Sequence, residues 1–218
     1  MPEESGHPAA VHPPGVPRRA EPSPLPTKED IALLEPFTRV GLDRIQVVSS
    51  ERAALQALDE MRGLRVLGFD TESRPTFQKG EVSDGPHVVQ FAVAHRAWVF
   101  QLHDPACRES VAALLASTEV TKVGFGLDGD RTQIMAKFGV PPQAVLDLDH
   151  AFRRMGYRKS VGVKTAVALL FNQRFIKSKK VATTNWSNQR LSEMQVLYAA
   201  NDAWAAIRVF EELGLDLP

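Results

Sequence analysis

Two acidic residues one position apart, Asp70 and Glu72, follow a short apolar run and could bind a metal ion. In a β-strand, residues i and i+2 point to the same face, so the two carboxylates would stand side by side. Like charges this close raise each other's pKa unless a cation lies between them. Hard cations such as Mg²⁺ prefer carboxylate oxygen and water as ligands. Taken alone, the pair is also compatible with a solvated turn that caps the next element.

Further carboxylates follow the next predicted strand. This strand ends near Gly126 and runs into Asp128 and Asp130, which precede a predicted helix over residues 131–138. An acidic side chain here could cap the helix by accepting hydrogen bonds from its free backbone N–H groups. Capping and metal binding both stay open for Asp128. For Asp130 the pattern favours metal binding, because of what the C-terminal segment contains.

Tyr198 and Asp202 lie four residues apart in a predicted helix and therefore share one of its faces. Small and apolar residues surround them, so Asp202 would be buried, and burial of an unpaired carboxylate is costly. A metal ion would remove this cost, as would another cation or several hydrogen-bond donors of the protein. Tyr198, with an ordinary pKa of about 10, would orient a water molecule rather than remove its proton.

Four carboxylates from three separate elements could together hold two divalent ions. One ion would activate the attacking water, and the other would stabilise the leaving oxygen of an in-line phosphoryl displacement. The candidate metal ligands are Asp70, Glu72, Asp130 and Asp202, and the catalytic set adds Tyr198.

Three motifs in this order resemble those of the DEDD superfamily of 3'-5' exonucleases. They are Asp-Thr-Glu at residues 70–72, GFGLDGD at 124–130 and Tyr-Ala-Ala-Asn-Asp at 198–202. The Tyr-x-x-x-Asp ending resembles the tyrosine (DEDDy) subgroup, which includes ribonuclease D and the Werner exonuclease domain. Residues 185–198 are also similar to the segment before the third motif in those branches. The resemblance covers about residues 45–213.

The sequence departs from the family pattern at four positions. Gln189 and Arg190 stand where the family often has Arg-Pro, and Gly129 and Thr132 stand where it often has Asn and an aromatic residue. None of these removes a metal ligand, so they bear on how a strand is bound.

The resemblance implies an RNase H-like fold, two Mg²⁺ or Mn²⁺ ions and release of mononucleotides from the 3' end of DNA or RNA. The implied partner is nucleic acid with a free 3' end, single-stranded or frayed. Two alternatives stay open: a catalytically silent nucleic-acid-binding scaffold of the same fold, and an RNase H-like endonuclease. All four carboxylates are present, whereas a silent scaffold would be marked by a missing one.

A long basic segment indicates how a nucleic-acid strand would be held. Residues 150–192 contain ten Lys and Arg and no Asp or Glu, whereas the whole chain has 26 residues of each charge. Such a surface would contact phosphates without reading sequence, although a solvated face is the alternative. Phe175 and Trp186 could stack on bases, with core packing as the other interpretation of Trp186. The candidate substrate-binding residues are Thr71, Lys164, Arg174, Phe175, Lys177, Lys179, Lys180 and Trp186.

The elements that must position these residues predict an α/β fold. We expect an RNase H-like mixed sheet, made of a three-strand antiparallel meander plus parallel strands and flanked by helices on both faces. We expect residues 1–27 to form a disordered, proline-rich tail and residues 28–218 to form a single exonuclease domain. Within this domain, a flexible loop is expected at residues 73–86. The predicted strands are 65–70, 87–95, 97–102, 122–127 and 144–148, and the predicted helices are 53–61 (capped by Ser49 or Ser50), 108–116, 131–138, 150–155, 161–171 and 192–213.

Composition excludes several classes of protein. The single cysteine, Cys107, rules out an intramolecular disulfide and a cysteine-based zinc site, and is expected to be buried in a helix. No apolar run approaches the roughly 18 residues that a membrane span needs. Glu3 and Glu4, without an apolar stretch beside them, argue against a targeting segment. We expect a cytoplasmic protein with neither a membrane nor a disulfide-linked partner, in an oligomeric state that the sequence leaves open.

Overall fold

The computed structural model describes residues 22–76, 81 and 83–217. The predicted disorder of residues 1–21 and the middle of the predicted loop at 73–86 lie outside these residues. The last part of the predicted tail packs against the rest of the chain: Leu25 contacts the core, and Thr27 caps the first helix.

Six strands and eight α-helices make up the described part of the chain. The strands are β1 (Ile45–Val48), β2 (Val66–Glu72), β3 (Val88–Val93), β4 (Arg96–Gln101), β5 (Thr121–Gly124) and β6 (Val145–Asp147). The helices are α1 (Lys28–Ala32), α2 (Glu51–Glu60), α3 (Pro105–Ala116), α4 (Arg131–Phe138), α5 (Leu148–Arg154), α6 (Val163–Phe171), α7 (Lys179–Ala182) and α8 (Glu193–Glu212). A short 3₁₀ helix over Leu42–Arg44 precedes β1.

The strands form one mixed sheet in the order β1-β4-β3-β2-β5-β6. Strands β2, β3 and β4 are antiparallel neighbours, which confirms the predicted meander. Strand β5 pairs parallel with β2, and β6 pairs parallel with β5. The apolar run at 45–48 is a strand as well, and it extends the sheet by pairing parallel with β4.

Alternating side chains of the sheet build two separate cores, which confirms helices on both faces. On one face, Leu67, Phe69 and Phe91 pack with buried residues of α2 and α3. On the other face, Val88 and Ala92 pack with α5, α6 and α8. Among the residues that the structure describes, no helix combines the length and apolar character needed to span a membrane.

Helix α8 lies directly on the central strand β2. Ser192 begins α8 with a capping box: its side chain accepts from the backbone N–H of Gln195, and the Gln195 side chain accepts from the backbone N–H of Ser192. A Cβ atom on Gly68 would collide with the backbone carbonyl of Ala203, so the absence of a side chain at residue 68 permits this close approach. The contact brings the middle of α8 against β2 two residues before Asp70.

Cys107 is buried in α3, as predicted. Burial, together with the neighbouring Asp104, raises the pKa of its thiol to about 12. This cysteine therefore acts as a small apolar core residue.

Candidate active site

Three carboxylates meet where β2 ends beneath α8. Asp70, Glu72 and Asp202 each offer one oxygen atom, and these three atoms all lie within 4.8 Å of one another. Asp70 and Glu72 share a face of β2, as the alternation of strand side chains predicts. Asp202 comes from α8 and is buried, with 5% of its surface exposed. The structure thus brings together three of the four predicted ligands as one cluster.

Asp130 lies beside this cluster rather than within it. Its backbone occupies the N-cap position of α4, but its side chain makes no capping hydrogen bond. Its carboxylate is instead hydrogen-bonded by Thr71, and its charge raises the pKa of Glu72. Asp128 does not cap the helix, so that interpretation of Asp128 is wrong: its exposed carboxylate lies 3.5 Å from the imidazole Nε2 of His150.

The pKa values of all four carboxyl groups are raised above their ordinary values. Burial, followed by the charges of Asp70 and Asp202, raises the pKa of Glu72 to about 9. Burial is also the main cause that raises the pKa of Asp202 to about 7 and that of Asp130 to about 6. The pKa of Asp70 is raised in the same way. A cluster of oxygen donors in which Asp202 is buried and the other two carboxylates are half-buried, with this much unbalanced negative charge, fits a hard divalent cation.

Lys177 provides a positive charge inside the cluster. Its Nζ lies 2.7 Å from Oδ2 of Asp202 and 5.3 Å from the centre of the Tyr198 ring. Burial alone would lower the pKa of Lys177, but Asp202 and Asp70 together raise it above its ordinary value. The sequence pattern predicts Lys177 on a phosphate-binding surface and leaves open whether a cation of the protein balances Asp202. The structure answers that question with Lys177.

Tyr198 lies one turn before Asp202 on α8 and is largely buried, with its ring centroid 5.8 Å from that of Trp186. Burial, and after it the charge of Asp202, raises the pKa of its hydroxyl above the ordinary value. The phenol is therefore neutral at physiological pH and can donate or accept a hydrogen bond, but it is a poor base.

The prediction that Phe175 and Trp186 stack on bases is wrong, because both rings are buried. Trp186 is 1% exposed and its indole N–H donates to the carbonyl of Ala182 at 3.1 Å. Phe175 is 3% exposed and packs 6.4 Å from Phe37, centroid to centroid. Both side chains are almost fully buried, so core packing is the interpretation that the structure supports for both.

Arg174 makes a structural contact through its guanidinium. Its guanidinium donates to the carbonyl of Ala32 at 3.0 Å, and its backbone pairs with residues 35–37. These bonds tie the N-terminal segment to the domain, which uses the side chain for structure.

Three of the predicted substrate-binding lysines remain on the surface. Lys164 at the start of α6 is exposed, and its charge helps to lower the pKa of Asp202, so it lies close to the cluster. Lys179 and Lys180 are exposed in α7. Thr71, another predicted contact, holds two candidate ligands: its backbone N–H donates to Oδ1 of Asp70 at 2.8 Å, and its side chain bonds Asp130.

Sequence reasoning missed two groups of residues around the site. A polar pocket of about 200 Å³ beside Trp186 is lined in part by His87, Arg108 and Lys137, which are too far apart in the sequence to form a visible pattern. Asn201, next to Asp202, accepts from the backbone N–H of Val40 at 2.9 Å and donates to its carbonyl at 3.2 Å. Its position within the third motif was the one available signal.

Solved structures of known proteins share this fold. The chain is similar to Trypanosoma brucei RNase D, with a TM-score of 0.70 and 19% identity, covering 80% of this chain and 66% of that one. It is also similar to the exonuclease domain of Aedes aegypti Nibbler, with a TM-score of 0.68 and 20% identity, covering 80% and 89%. At these identities the likeness establishes the fold, which is RNase H-like as expected.

The particular family follows from the sequence comparisons. The model of a family described as 3'-5' exonuclease matches residues 45–218. A 3'-5' exonuclease of Arabidopsis thaliana is 31% identical over 169 residues, covering 75% of this chain and 58% of the relative. The chain therefore belongs to the 3'-5' exonuclease family.

The relatives are longer proteins. The mouse bifunctional 3'-5' exonuclease/ATP-dependent helicase WRN is 28% identical over 152 residues, which is 68% of this chain and 11% of the relative. The chain thus spans little more than half of the Arabidopsis relative and about a tenth of the mouse one.

Proposed function

We propose that this chain is a metal-dependent 3'-5' exonuclease that releases mononucleotides from the 3' end of DNA or RNA. The observation that carries the proposal is the cluster of Asp70, Glu72 and Asp202, with a neutral tyrosine one helical turn before Asp202. Membership in the 3'-5' exonuclease family supports the direction of cleavage.

The four carboxylates would hold two divalent ions, Mg²⁺ or Mn²⁺. Asp70, Glu72 and Asp202 supply oxygen donors from one cluster, and Asp130 supplies one from its edge. When bound, the ions supply charge stabilisation to the scissile phosphate and acidity to the attacking water. The raised pKa values of the carboxylates support this role, because a cation would remove the repulsion that raises them.

The other residues of the site orient the reactants. Tyr198 would hydrogen-bond the attacking water and fix its direction, since its phenol stays neutral. Lys177 would hold Asp202 ionised and keep a positive charge near the phosphate. Thr71 would hold Asp70 and Asp130 in place through the two bonds it makes to them.

The substrate would be a single or frayed strand that crosses the exposed lysines. Lys164, Lys179 and Lys180 lie on the surface of the basic segment and would contact phosphates. Two structures of the same fold support nucleic acid as the ligand: Trypanosoma brucei RNase D in complex with RNA U12, at a TM-score of 0.69, and Brucella melitensis NrnC bound to pGG, at 0.60. A cytoplasmic location and a single domain over residues 28–218 belong to the same proposal.

The proposal is tested with 5'-labelled DNA and RNA single strands in Mg²⁺, Mn²⁺ or EDTA. We expect a ladder that shortens from the 3' end, is lost in EDTA, and is reduced at least about 100-fold by Asp202→Asn, since loss of a mere partner of a metal ligand already costs about 10- to 100-fold. Asp128→Asn is the matched control, because Asp128 is exposed outside the cluster, and it should keep full activity.

The other outcomes would each reject the proposal. Binding without cleavage would identify a silent scaffold, and internal cuts would identify an endonuclease. Full activity of Asp70→Asn would show that the metal assignment is wrong.

A further inference from the structure

Gln90 is a fully buried amide with no hydrogen-bond partner among the residues that the structure describes. It lies in the middle of β3 with 0% of its surface exposed, and both its Nε2 and its Oε1 are unpaired. Other buried amides of this chain are satisfied: Gln101 donates to the carbonyls of Asn188 and Gln189. Burying an amide without partners destabilises a protein, and such cases in native structures are few.

The position of Gln90 relates it to the carboxylate cluster. In the antiparallel pairing of β2 and β3, Gln90 stands directly opposite Asp70. Residues in this relation point to the same face of the sheet, with Cβ atoms about 4.5–5.5 Å apart. The strand neighbours Val88 and Ala92, on the same face, belong to the core beneath α8. The unpaired amide is therefore directed to the side of the sheet on which Asp70, Glu72 and Asp202 meet.

Asp70 has room for a second hydrogen bond. Its Oδ1 accepts from the backbone N–H of Thr71 at 2.8 Å. A carboxylate that binds a metal ion is commonly held by a further donor, which fixes the direction of its lone pairs. An apolar residue at position 90 would pack in this core with no unsatisfied group, so the fold itself gives no reason for an amide here.

We propose that Gln90 is a positioning residue, whose amide N–H₂ donates to the carboxylate of Asp70 and orients it for a divalent cation. The inference rests on the proposed function and names a residue that acts through Asp70. If the amide is replaced by an apolar side chain of similar length, the affinity for the cation should fall while the stability of the metal-free fold should not.

The test measures melting temperature as a function of Mg²⁺ and Mn²⁺ concentration, after removal of metal with EDTA. We expect metal-free Gln90→Met to melt at or above the temperature of the unsubstituted protein. It should need at least about 10-fold more metal for half of the metal-induced rise in melting temperature, the usual lower bound for losing such a partner. The metal concentration for half-maximal cleavage should rise by the same factor.

Gln101→Met is the matched control, since it removes a buried amide that donates its hydrogen bonds to the carbonyls of Asn188 and Gln189. It should lower the metal-free melting temperature and leave the metal requirement unchanged. If Gln90→Met behaves as this control does, Gln90 has a structural role and the inference is wrong. If the unsubstituted protein shows neither a metal-induced rise nor cleavage, the proposed function itself fails and the inference falls with it.

Discussion

The hydroxyl of Tyr198 keeps its proton because of where α8 places it. Burial and the charge of Asp202 raise the pKa of this phenol, so the charged form is suppressed throughout the physiological range. A group of this kind contributes to catalysis by direction and hydrogen bonding rather than by proton removal.

Replacing Tyr198 with Phe should therefore lower kcat without moving the pH profile. We expect a loss of about 100- to 1,000-fold, the range for removing one well-placed hydrogen-bonding group, with the same apparent pKa on the acidic limb. The measurement is kcat/KM between pH 5.5 and 9. Tyr157→Phe is a close control, because Tyr157 is the other tyrosine of the chain and packs on Phe152. A shifted acidic limb in Tyr198→Phe would identify the tyrosine as the base.

The structure brings together Asp70, Glu72 and Asp202, which the sequence singled out, but it buries or pairs several of their predicted neighbours. The carboxylates lie on regular elements, where a spacing of two or four residues fixes a common face. Lys177, Phe175 and Arg174 lie in a stretch between α6 and α7 that has no such period. Charge and aromaticity there could not distinguish a side chain that faces solvent from one that faces the core.

At the scale of elements, the site depends on the contact between β2 and α8. Gly68 allows the backbone of α8 to approach the strand, and two residues later the strand carries Asp70. The distance between the carboxylates of β2 and Asp202 is therefore set by a residue that does no chemistry.

Gly68→Ala should impair both the fold and the site. The added methyl group would meet the Ala203 carbonyl, which belongs to a helix backbone that cannot move aside cheaply. We expect a loss of about 1–3 kcal/mol in the free energy of unfolding, typical of overpacking, with reduced cleavage at equal amounts of folded protein. Urea unfolding and specific activity measure the two effects. Gly162→Ala is the control, since a Cβ there meets open space, and unchanged stability of Gly68→Ala would contradict the account.

Most long elements could be predicted from the sequence, and short ones could not. The meander, α4 and α8 have enough residues for an apolar period to show. Strand β1 has four residues and its pairing with β4 joins segments about 50 residues apart, which no local pattern reveals. Helices α1 and α7, with five and four residues, owe their existence to capping and tertiary contacts.

At the scale of the whole molecule, the neutral total charge hides an uneven distribution. The basic segment over residues 150–192 lies beside the cluster of Asp70, Glu72 and Asp202, whose negative charge is not fully balanced by neighbouring cations. Both parts have consequences that a measurement on the intact protein can detect.

The acidic cluster should make the metal-free protein less stable as pH rises. The pKa of Glu72 is about 9 in the folded state, against an ordinary value of 4.5, so the folded protein binds more protons across this interval. Stability is then greatest near the lower end of the interval and falls as pH rises through the folded pKa. Asp202 and Asp130 act in the same direction.

Urea unfolding in EDTA at pH 6, 7, 8 and 9 measures this effect. We expect the free energy of unfolding to fall over the series, and Glu72→Gln to flatten the dependence. Glu51→Gln, which changes an exposed glutamate of α2, should leave it unchanged. Stability that rises with pH in EDTA would contradict the prediction.

The basic surface should make strand binding depend on salt. Each phosphate contact to a single strand contributes about 0.7 to the slope of log affinity against log salt, so Gln at both Lys179 and Lys180 should reduce the slope by about 1.4. Fluorescence anisotropy with the Asp202→Asn protein and a labelled strand measures this slope without cleavage. Arg62→Gln is the control, since this exposed arginine precedes the opposite end of β2. Equal slopes in all three proteins would exclude α7 from the binding path.

The two hydrogen bonds between Asn201 and Val40 affect where the chain can be shortened without disturbing the site. The family match begins at residue 45, yet the residue beside Asp202 is held by backbone atoms five residues earlier. A chain shortened to begin at residue 45 would lose that clamp, together with the Phe37–Arg174 pairing. A buried amide would then lack its partners next to Asp202, so a shortened chain that keeps this part of the site intact must begin upstream of the family match.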